Sequence, residues 1–154
     1  MGGPVLLQAC LNGARPPAAH PALPVTPAEI GADTREVVAA GADAVHVHPK
    51  DGSGLDVLDP DTVDAVVTAV RVAAPHVPVG VTTGAWAMPE PADRVAAIGC
   101  WSVLPDFASV NWHEDGAQDV VVALLERGIA VEAGLWSIDD VSAWVASPVR
   151  DDVA

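Results

Sequence analysis

The sequence predicts an α/β fold made of successive strand–helix units around a parallel sheet. Five short apolar runs alternate with five segments of helical periodicity along the 154 residues, and this alternation is typical of parallel sheets. The hydrophobic content of 51% is enough to bury a core. We therefore expect a single domain over residues 1–154.

The predicted strands are short, as strands of parallel sheets usually are. They cover residues 5–11, 44–48, 77–82, 107–112 and 129–135. Gly, Pro, Asn or Asp bounds each of them, and these residues favour turns. The proline-rich segment 14–24 follows the first strand at the end of the sheet where active-site loops lie, so it is a candidate functional loop.

Capping signals mark the starts of three predicted helices. Thr26 and Glu29 have the spacing of a capping box before the first helix. Asp59 precedes the second helix and Ser137 the fifth, and both residue types favour the N-cap position. The other two helices are predicted over residues 91–97 and 116–127.

The number of units leaves the closure of the sheet open. A barrel of eight units takes about 250 residues, so five units cannot close one. An incomplete barrel, completed elsewhere or by another copy, and an open doubly wound sheet both fit the pattern. The first and fifth strands would expose unpaired edges, which favours a homo-oligomer.

The composition excludes several classes of partner. Only 7 Lys and Arg stand against 21 Asp and Glu, a formal charge of -14, so nucleic acid and anionic membrane surfaces repel the chain. The segment from Met1 to Pro4 lacks the features of an export signal, which predicts a cytoplasmic protein. Cys10 and Cys100 are too few for a disulfide framework, and we expect both to be small buried residues.

The sharpest chemical signal is the pair His46 and His48. Residues two apart on a strand point to the same face, so the two imidazoles lie together. The pair ends the second predicted strand, at the edge where parallel α/β proteins place their sites. In isolation, the favoured interpretation of the motif is one histidine that packs and one that meets solvent. The apolar residues before the pair and the loop after it favour a zinc site, which usually takes three protein ligands when it is catalytic.

Other polar residues follow the ends of the third and fifth strands. Glu132 is a candidate third metal ligand, substrate binder or general base. Thr82, Thr83 and Gly84 either bind a carboxylate or oxyanion through hydroxyls and amides, or form a polar turn. The residues alone leave both interpretations open.

The fourth strand ends with Asn111, and alternation places His113 on the same face. Asn111 is a candidate substrate-binding residue. Trp86 and Trp136 follow strand ends, where each either walls a site or packs.

Six segments in chain order carry a family resemblance: ACLNGA at 9–14, LPVTPAE at 23–29, AGADAVHVHP at 40–49, TTG at 82–84, PDFASVN at 105–111 and VEAGLW at 131–136. Together they resemble the β-keto acid cleavage enzymes, typified by 3-keto-5-aminohexanoate cleavage enzyme. The resemblance implies a TIM (β/α)8-type barrel, of which this chain would form about five βα units at the N-terminal side. It covers nearly the whole sequence.

The resemblance also implies a function. Members bind zinc through the histidines that match His46 and His48 and through a later acidic residue. They convert a β-keto acid and acetyl-CoA into acetoacetate and a new acyl-CoA by retro-Claisen acyl transfer. Thr82 falls at the position that contacts the substrate, and Glu132 at the active-site glutamate of the fifth strand. Both are therefore candidate catalytic residues.

Because of two departures from the family pattern, the sequence leaves open whether this chain is catalytically active. The late acidic ligand and the arginine before it are absent from this sequence, and Arg15 stands where a number of members have glutamate, which implies a changed preference for substrate charge. One alternative is a non-catalytic relative that binds metal weakly. Another is a metal-dependent hydrolase, for which Lys50 is the available lysine beside the histidines.

Overall fold

The computed structural model describes residues 5–153 and forms a five-stranded sheet with alternating helices. The segment from Met1 to Pro4, on which the expectation of no export signal rests, lies outside the described residues, as does Ala154. The elements are β1 (Gln8–Cys10), α1 (Pro27–Ala39), β2 (Ala44–Val47), α2 (Pro60–Ala73), β3 (Val79–Thr82), α3 (Pro91–Cys100), β4 (Phe107–Asn111), α4 (Ala117–Glu126), β5 (Ala130–Gly134) and α5 (Ile138–Ala146), with 3-10 turns at Pro17–Ala19 and Arg150–Asp152.

The order of the strands decides between the two predicted architectures. They lie side by side as β1-β2-β3-β4-β5, and every neighbouring pair is parallel. A doubly wound sheet reverses its strand order at a switch point, whereas a barrel wall runs in sequence order. The chain is therefore an incomplete TIM-type barrel. The wall is curved enough for Gln8 Nε2 on β1 to donate to Glu132 Oε2 on β5 at 3.4 Å.

The capping signals read from the sequence are confirmed. Thr26 Oγ1 accepts from the Glu29 backbone N–H at 3.3 Å, and the Glu29 carboxylate accepts from the Thr26 backbone N–H at 2.8 Å. Asp59 Oδ1 accepts from the Thr62 backbone N–H at 3.0 Å at the start of α2. Because each bond satisfies an N–H that the helix itself cannot pair, these side chains determine where the helices begin.

The two faces of the sheet differ in chemistry. Alternate residues of the strands point outward beneath the helices and are fully or nearly fully buried; they include Val45, Val47, Val79, Val81, Ala108, Val110 and Val131. Burying a valine side chain contributes about 1.5–3 kcal/mol, so this outer layer is the main stabilising core. The remaining residues point into the concave face, which none of the helices within residues 5–153 covers, and this face carries the polar side chains of the strands.

The expectation that both cysteines are buried is wrong, since Cys10 and Cys100 are both exposed. Cys10 lies on the concave face, and Cys100 is the last residue of α3. The first strand also begins at Gln8, later than predicted, because parallel pairing with β2 starts there. Within residues 5–153, no helix has the length and apolarity to cross a membrane.

Candidate functional site

A cavity of about 470 Å³ opens on the concave face at the carboxyl ends of the strands. Residues from all five strands contribute to its lining. The residues predicted from the sequence that line it are His46, His48, Thr82, Trp86, Asn111, Glu132 and Trp136. Side chains that are far apart in sequence, such as Gln8 and Glu132, therefore meet at one edge of the sheet, because parallel strands end there together.

His46 projects from β2 beside Cys10 on β1 and Gly80 on β3. It is buried, and its Nδ1 has no hydrogen-bond partner among the described residues. Burial, and secondarily the neighbouring His48, lower the pKa of His46 to about 4. The imidazole is therefore neutral at neutral pH, which is the form that ligates metals.

His48 follows directly after β2, and its backbone is fixed by Asn12. The His48 N–H donates to Asn12 Oδ1 at 2.8 Å, and the His48 carbonyl accepts from Asn12 Nδ2 at 2.9 Å. The His48 ring stacks on Trp86 with centroids 5.9 Å apart and lies 5.4 Å from the ring of His46. The two imidazoles thus share one corner of the cavity.

Asp56 is a functional candidate that the sequence interpretation missed. Its Oδ2 lies 2.8 Å from His48 Nδ1 and accepts from Trp86 Nε1 at 2.8 Å, while Lys50 pairs with Oδ1. Burial acts to raise the pKa of Asp56, but the hydrogen bonds from His48, Lys50 and Trp86 together outweigh it and lower the pKa. The signal in the sequence is the glycine-rich turn after Lys50, which can return the chain to the histidines.

Thr82, Ser109 and Glu132 form a polar row across three neighbouring strands. The sheet register pairs Thr82 with Ser109 and Ser109 with Glu132, so the three side chains point into the cavity side by side. Thr82 Oγ1 accepts from the Gly84 backbone N–H at 3.2 Å. The row presents two hydroxyls and a carboxylate to the same space.

Thr83 and Gly84 lie outside the cavity lining and support neighbouring elements, whereas Thr82 faces the cavity. Thr83 is buried and donates its hydroxyl to the Ser109 carbonyl at 2.8 Å, so it ties β3 to β4. A Cβ on Gly84 would lie 2.2 Å from the Trp86 ring, which shows that the glycine makes room for the indole. Neither Thr83 nor Gly84 is among the described residues that line the cavity.

Asn111 belongs to a second network that the sequence interpretation missed. Asn111 Nδ2 donates to Glu114 Oε1 at 2.8 Å, and Asn111 Oδ1 accepts from Trp136 Nε1 at 2.8 Å. Glu114 in turn accepts from the buried guanidinium of Arg94 at 2.7 Å. The signal for this network was an arginine within the otherwise apolar face of the third predicted helix.

The prediction that His113 shares a face with Asn111 is wrong. β4 ends at Asn111, where a turn is closed by the Glu114 N–H donating to the Asn111 carbonyl at 3.2 Å. The turn ends the alternation of strand side chains. His113 Nδ1 instead lies 3.8 Å from Asp140 Oδ2, at the start of α5.

The two histidines fit part of a zinc site. His46 has a buried Nδ1 without a partner, and the contact of His48 Nδ1 with Asp56 leaves its Nε2 for another ligand. Within residues 5–153, however, there is no group of three or more His, Cys, Asp or Glu that could hold a metal ion. The described residues therefore fit two zinc ligands, and the donor set of a catalytic zinc requires one more.

The fold and the strand-end site define a TIM-barrel-like α/β protein with a cavity at the carboxyl edge of its sheet. The profile of the beta-keto acid cleavage enzyme family matches residues 4–142. The chain therefore belongs to the beta-keto acid cleavage enzyme family.

Solved structures share the fold at low sequence identity. The ternary complex of ObcA with a C4-CoA adduct and oxalate matches with a TM-score of 0.67 and 22% identity, over 86% of this chain and 35% of that chain. The complex of ObcA with oxaloacetate has a TM-score of 0.64 at the same identity and coverage. An enolase from Mycobacterium smegmatis complexed with tartrate has a TM-score of 0.56 and 19% identity, over 97% of this chain and 34% of that chain. The chain thus spans about a third of the length of these structures.

Proposed function

We propose that this chain forms the zinc- and keto-acid-binding part of a β-keto acid cleavage site. The reaction is retro-Claisen acyl transfer, in which a β-keto acid and acetyl-CoA give acetoacetate and a new acyl-CoA. The observation that supports it most is the pair of imidazoles 5.4 Å apart at the carboxyl end of β2, in a chain of this family. Family membership makes metal dependence the expectation.

In this proposal His46 and His48 bind the zinc ion. Burial keeps His46 neutral, so no proton has to leave before the imidazole can bind. A third ligand comes from beyond residues 5–153 or from a second copy. When bound, zinc supplies Lewis-acid polarisation of the keto group.

Thr82 and Glu132 act on the substrate. Because Thr82 Oγ1 already accepts from Gly84, its hydroxyl proton is available for an oxygen of the keto acid. Glu132 faces the same space from β5, where its carboxylate can accept a proton or a hydrogen bond from the substrate. The two side chains thus hold a polar substrate from opposite sides of Ser109.

Asn111, Thr83 and Gly84 complete the substrate-binding set. Asn111 Nδ2 has a second hydrogen beyond the one donated to Glu114, and it can be donated to a substrate carboxylate. Thr83 and Gly84 contribute by shape, since they hold the turn that places Thr82 and Trp86. The aromatic side chains of Trp86 and Trp136 line the same cavity.

Acetyl-CoA and a second copy of the chain are the proposed partners. The ternary complex of ObcA contains a C4-CoA adduct, which supports a CoA thioester as the second substrate here. Exposed apolar residues near the two edges of the sheet, such as Leu6 before β1 and Ile138 after β5, support self-association.

One alternative function is supported by a specific observation. Within residues 5–153 no group of three or more His, Cys, Asp or Glu could hold a metal ion, as expected of a non-catalytic relative that binds metal weakly. A metal-dependent hydrolase has less support, because the ammonium of Lys50 pairs with Asp56 and donates to the Arg15 carbonyl at 3.0 Å. Lys50 is therefore engaged away from a bridging position.

Zinc content tests the proposal. We expect close to one zinc per chain by elemental analysis in the wild type and near none in His46→Ala/His48→Ala. The matched control is His20→Ala/His76→Ala, which removes two exposed histidines outside the cavity lining and should keep the zinc. Equal zinc in all three proteins would refute the metal site.

Acetoacetate formation from acetyl-CoA and a series of β-keto acids then tests the reaction in the zinc-loaded protein. Turnover that disappears in the His46→Ala/His48→Ala variant is the expected result. Bound zinc without turnover for any keto acid would instead identify the non-catalytic relative.

A further inference from the structure

The loop between β2 and α2 folds back and carries Asp56 to the ring of His48. Lys50 and Asp56 form an antiparallel bridge, and the Val57 N–H donates to the Pro49 carbonyl at 2.9 Å. At the tip, Asp51 Oδ1 accepts from the Ser53 N–H, the Ser53 hydroxyl and the Leu55 N–H at 2.7 to 3.0 Å. The loop is thus a closed hairpin with a defined position for Asp56.

The environment of Asp56 makes its carboxylate an acceptor only. Lys50 and Asp56 form a buried ion pair, with 1% and 5% of their side chains exposed. The indole N–H of Trp86 also donates to Asp56, at Oδ2. The buried ammonium of Lys50 favours the charged form of Asp56, so the carboxylate is deprotonated and can only accept.

This arrangement determines the tautomer of His48. Since Asp56 Oδ2 can only accept, the hydrogen at the 2.8 Å contact must belong to His48 Nδ1. An imidazole that carries its one hydrogen on Nδ1 has its lone pair on Nε2. Stacking on Trp86, at an interplanar angle of 15°, and the two backbone bonds to Asn12 hold the ring in this orientation.

We propose that Asp56 is the positioning residue of His48, and that it presents Nε2 to a divalent metal in one tautomer and one orientation. Lys50 serves this role by keeping Asp56 charged inside the loop. The assignment of a metal rests on the proposed function above, whereas the tautomer rests on this chain alone. Mutation of a carboxylate that orients a ligating histidine typically lowers the metal affinity by about 10- to 100-fold.

Nitrogen NMR of the metal-free chain tests the tautomer. In the wild type we expect His48 to be protonated on Nδ1, and in Asp56→Asn we expect a mixture of the two tautomers. The matched control is Asp61→Asn, which removes the same charge from an exposed position in the first turn of α2. It should keep the wild-type spectrum. A His48 ring protonated on Nε2 in the wild type, or unchanged in Asp56→Asn, would overturn the proposal.

Zinc affinity, measured by competition with a chromophoric chelator, tests the consequence. Asp56→Asn should bind Zn²⁺ about 10- to 100-fold more weakly than the wild type and Asp61→Asn. Equal affinity of Asp56→Asn and the wild type would overturn the positioning role. A wild type that binds no Zn²⁺ would refute the proposed function, and the tautomer measurement would still decide the role of Asp56.

A second variant controls for the possibility that Asp56→Asn unfolds the protein. Asp56→Asn leaves the buried Lys50 without a counter-charge, which by itself can unfold a protein. The variant Lys50→Met/Asp56→Asn removes both charges and keeps the volume of the loop. It should show the same change of tautomer and the same loss of Zn²⁺ affinity, and wild-type values in this folded variant would refute the inference.

Discussion

Replacing Glu114 with glutamine removes the charge that compensates a fully buried arginine. Arg94 and Glu114 are 2.7 Å apart, with 0% and 7% of their side chains exposed. Glu114 also accepts from the Ala85 N–H at 2.9 Å and from Asn111 Nδ2 at 2.8 Å. Removing one partner of a buried pair typically costs about 3–5 kcal/mol. We expect a loss in this range, because a glutamine has one acceptor oxygen where the carboxylate has two.

Urea denaturation measures the loss. With a slope of about 2 kcal/mol/M, the midpoint should fall by roughly 2 M. The comparison is Arg71→Met, which breaks the partly exposed pair with Asp106, whose side chains are 38% and 40% exposed at 3.2 Å. Ion pairs in such positions contribute about 1 kcal/mol or less, so the midpoint should shift by about 0.5 M at most.

This reasoning would be refuted if the urea midpoint of Glu114→Gln fell no further below the wild-type value than that of Arg71→Met. The double variant Arg94→Met/Glu114→Gln should recover part of the stability, because it leaves no buried charge. Trp136 should report the local consequence, since its indole bonds to Asn111 and Asn111 to Glu114. Its fluorescence should shift in Glu114→Gln and stay unchanged in Arg71→Met.

Two further predictions concern the cavity itself. The folded-state pKa of His46, about 4, lies below the usual 6.5, so the unfolded chain takes up a proton first as the pH falls. The contribution of His46 to the free energy of unfolding is therefore complete above pH 6.5 and is lost as the pH falls from 6.5 to about 4. The total loss is roughly 3 kcal/mol. Urea midpoints of the metal-free chain should therefore fall more steeply in this range than those of His46→Gln, and equal slopes would contradict the burial of His46. Cys10 and Cys100 should both react with a thiol reagent in the native chain. Stoichiometric zinc should slow Cys10, which lies beside His46, and leave Cys100 unaffected; equal protection would place the zinc elsewhere.

The sequence alone was sufficient for the elements of the fold and for the histidine pair. Strands, helices and caps depend on interactions within a few residues, so apolar periodicity and residues such as Thr26 and Asp59 indicate them directly. The placement of His46 and His48 on one face follows from the two-residue period of a strand. Family membership was also predictable, because six ordered segments matched.

Tertiary structure decided what depends on contacts between distant segments. The order of strands separated an incomplete barrel from a doubly wound sheet, and the return of the loop at Asp56 supplied a partner for His48. The burial of Arg94 against Glu114 and the exposure of Cys10 likewise follow from how helices and strands pack. Local preferences carry no information on such pairs, because charge compensation and solvent exposure depend on which atoms meet in space.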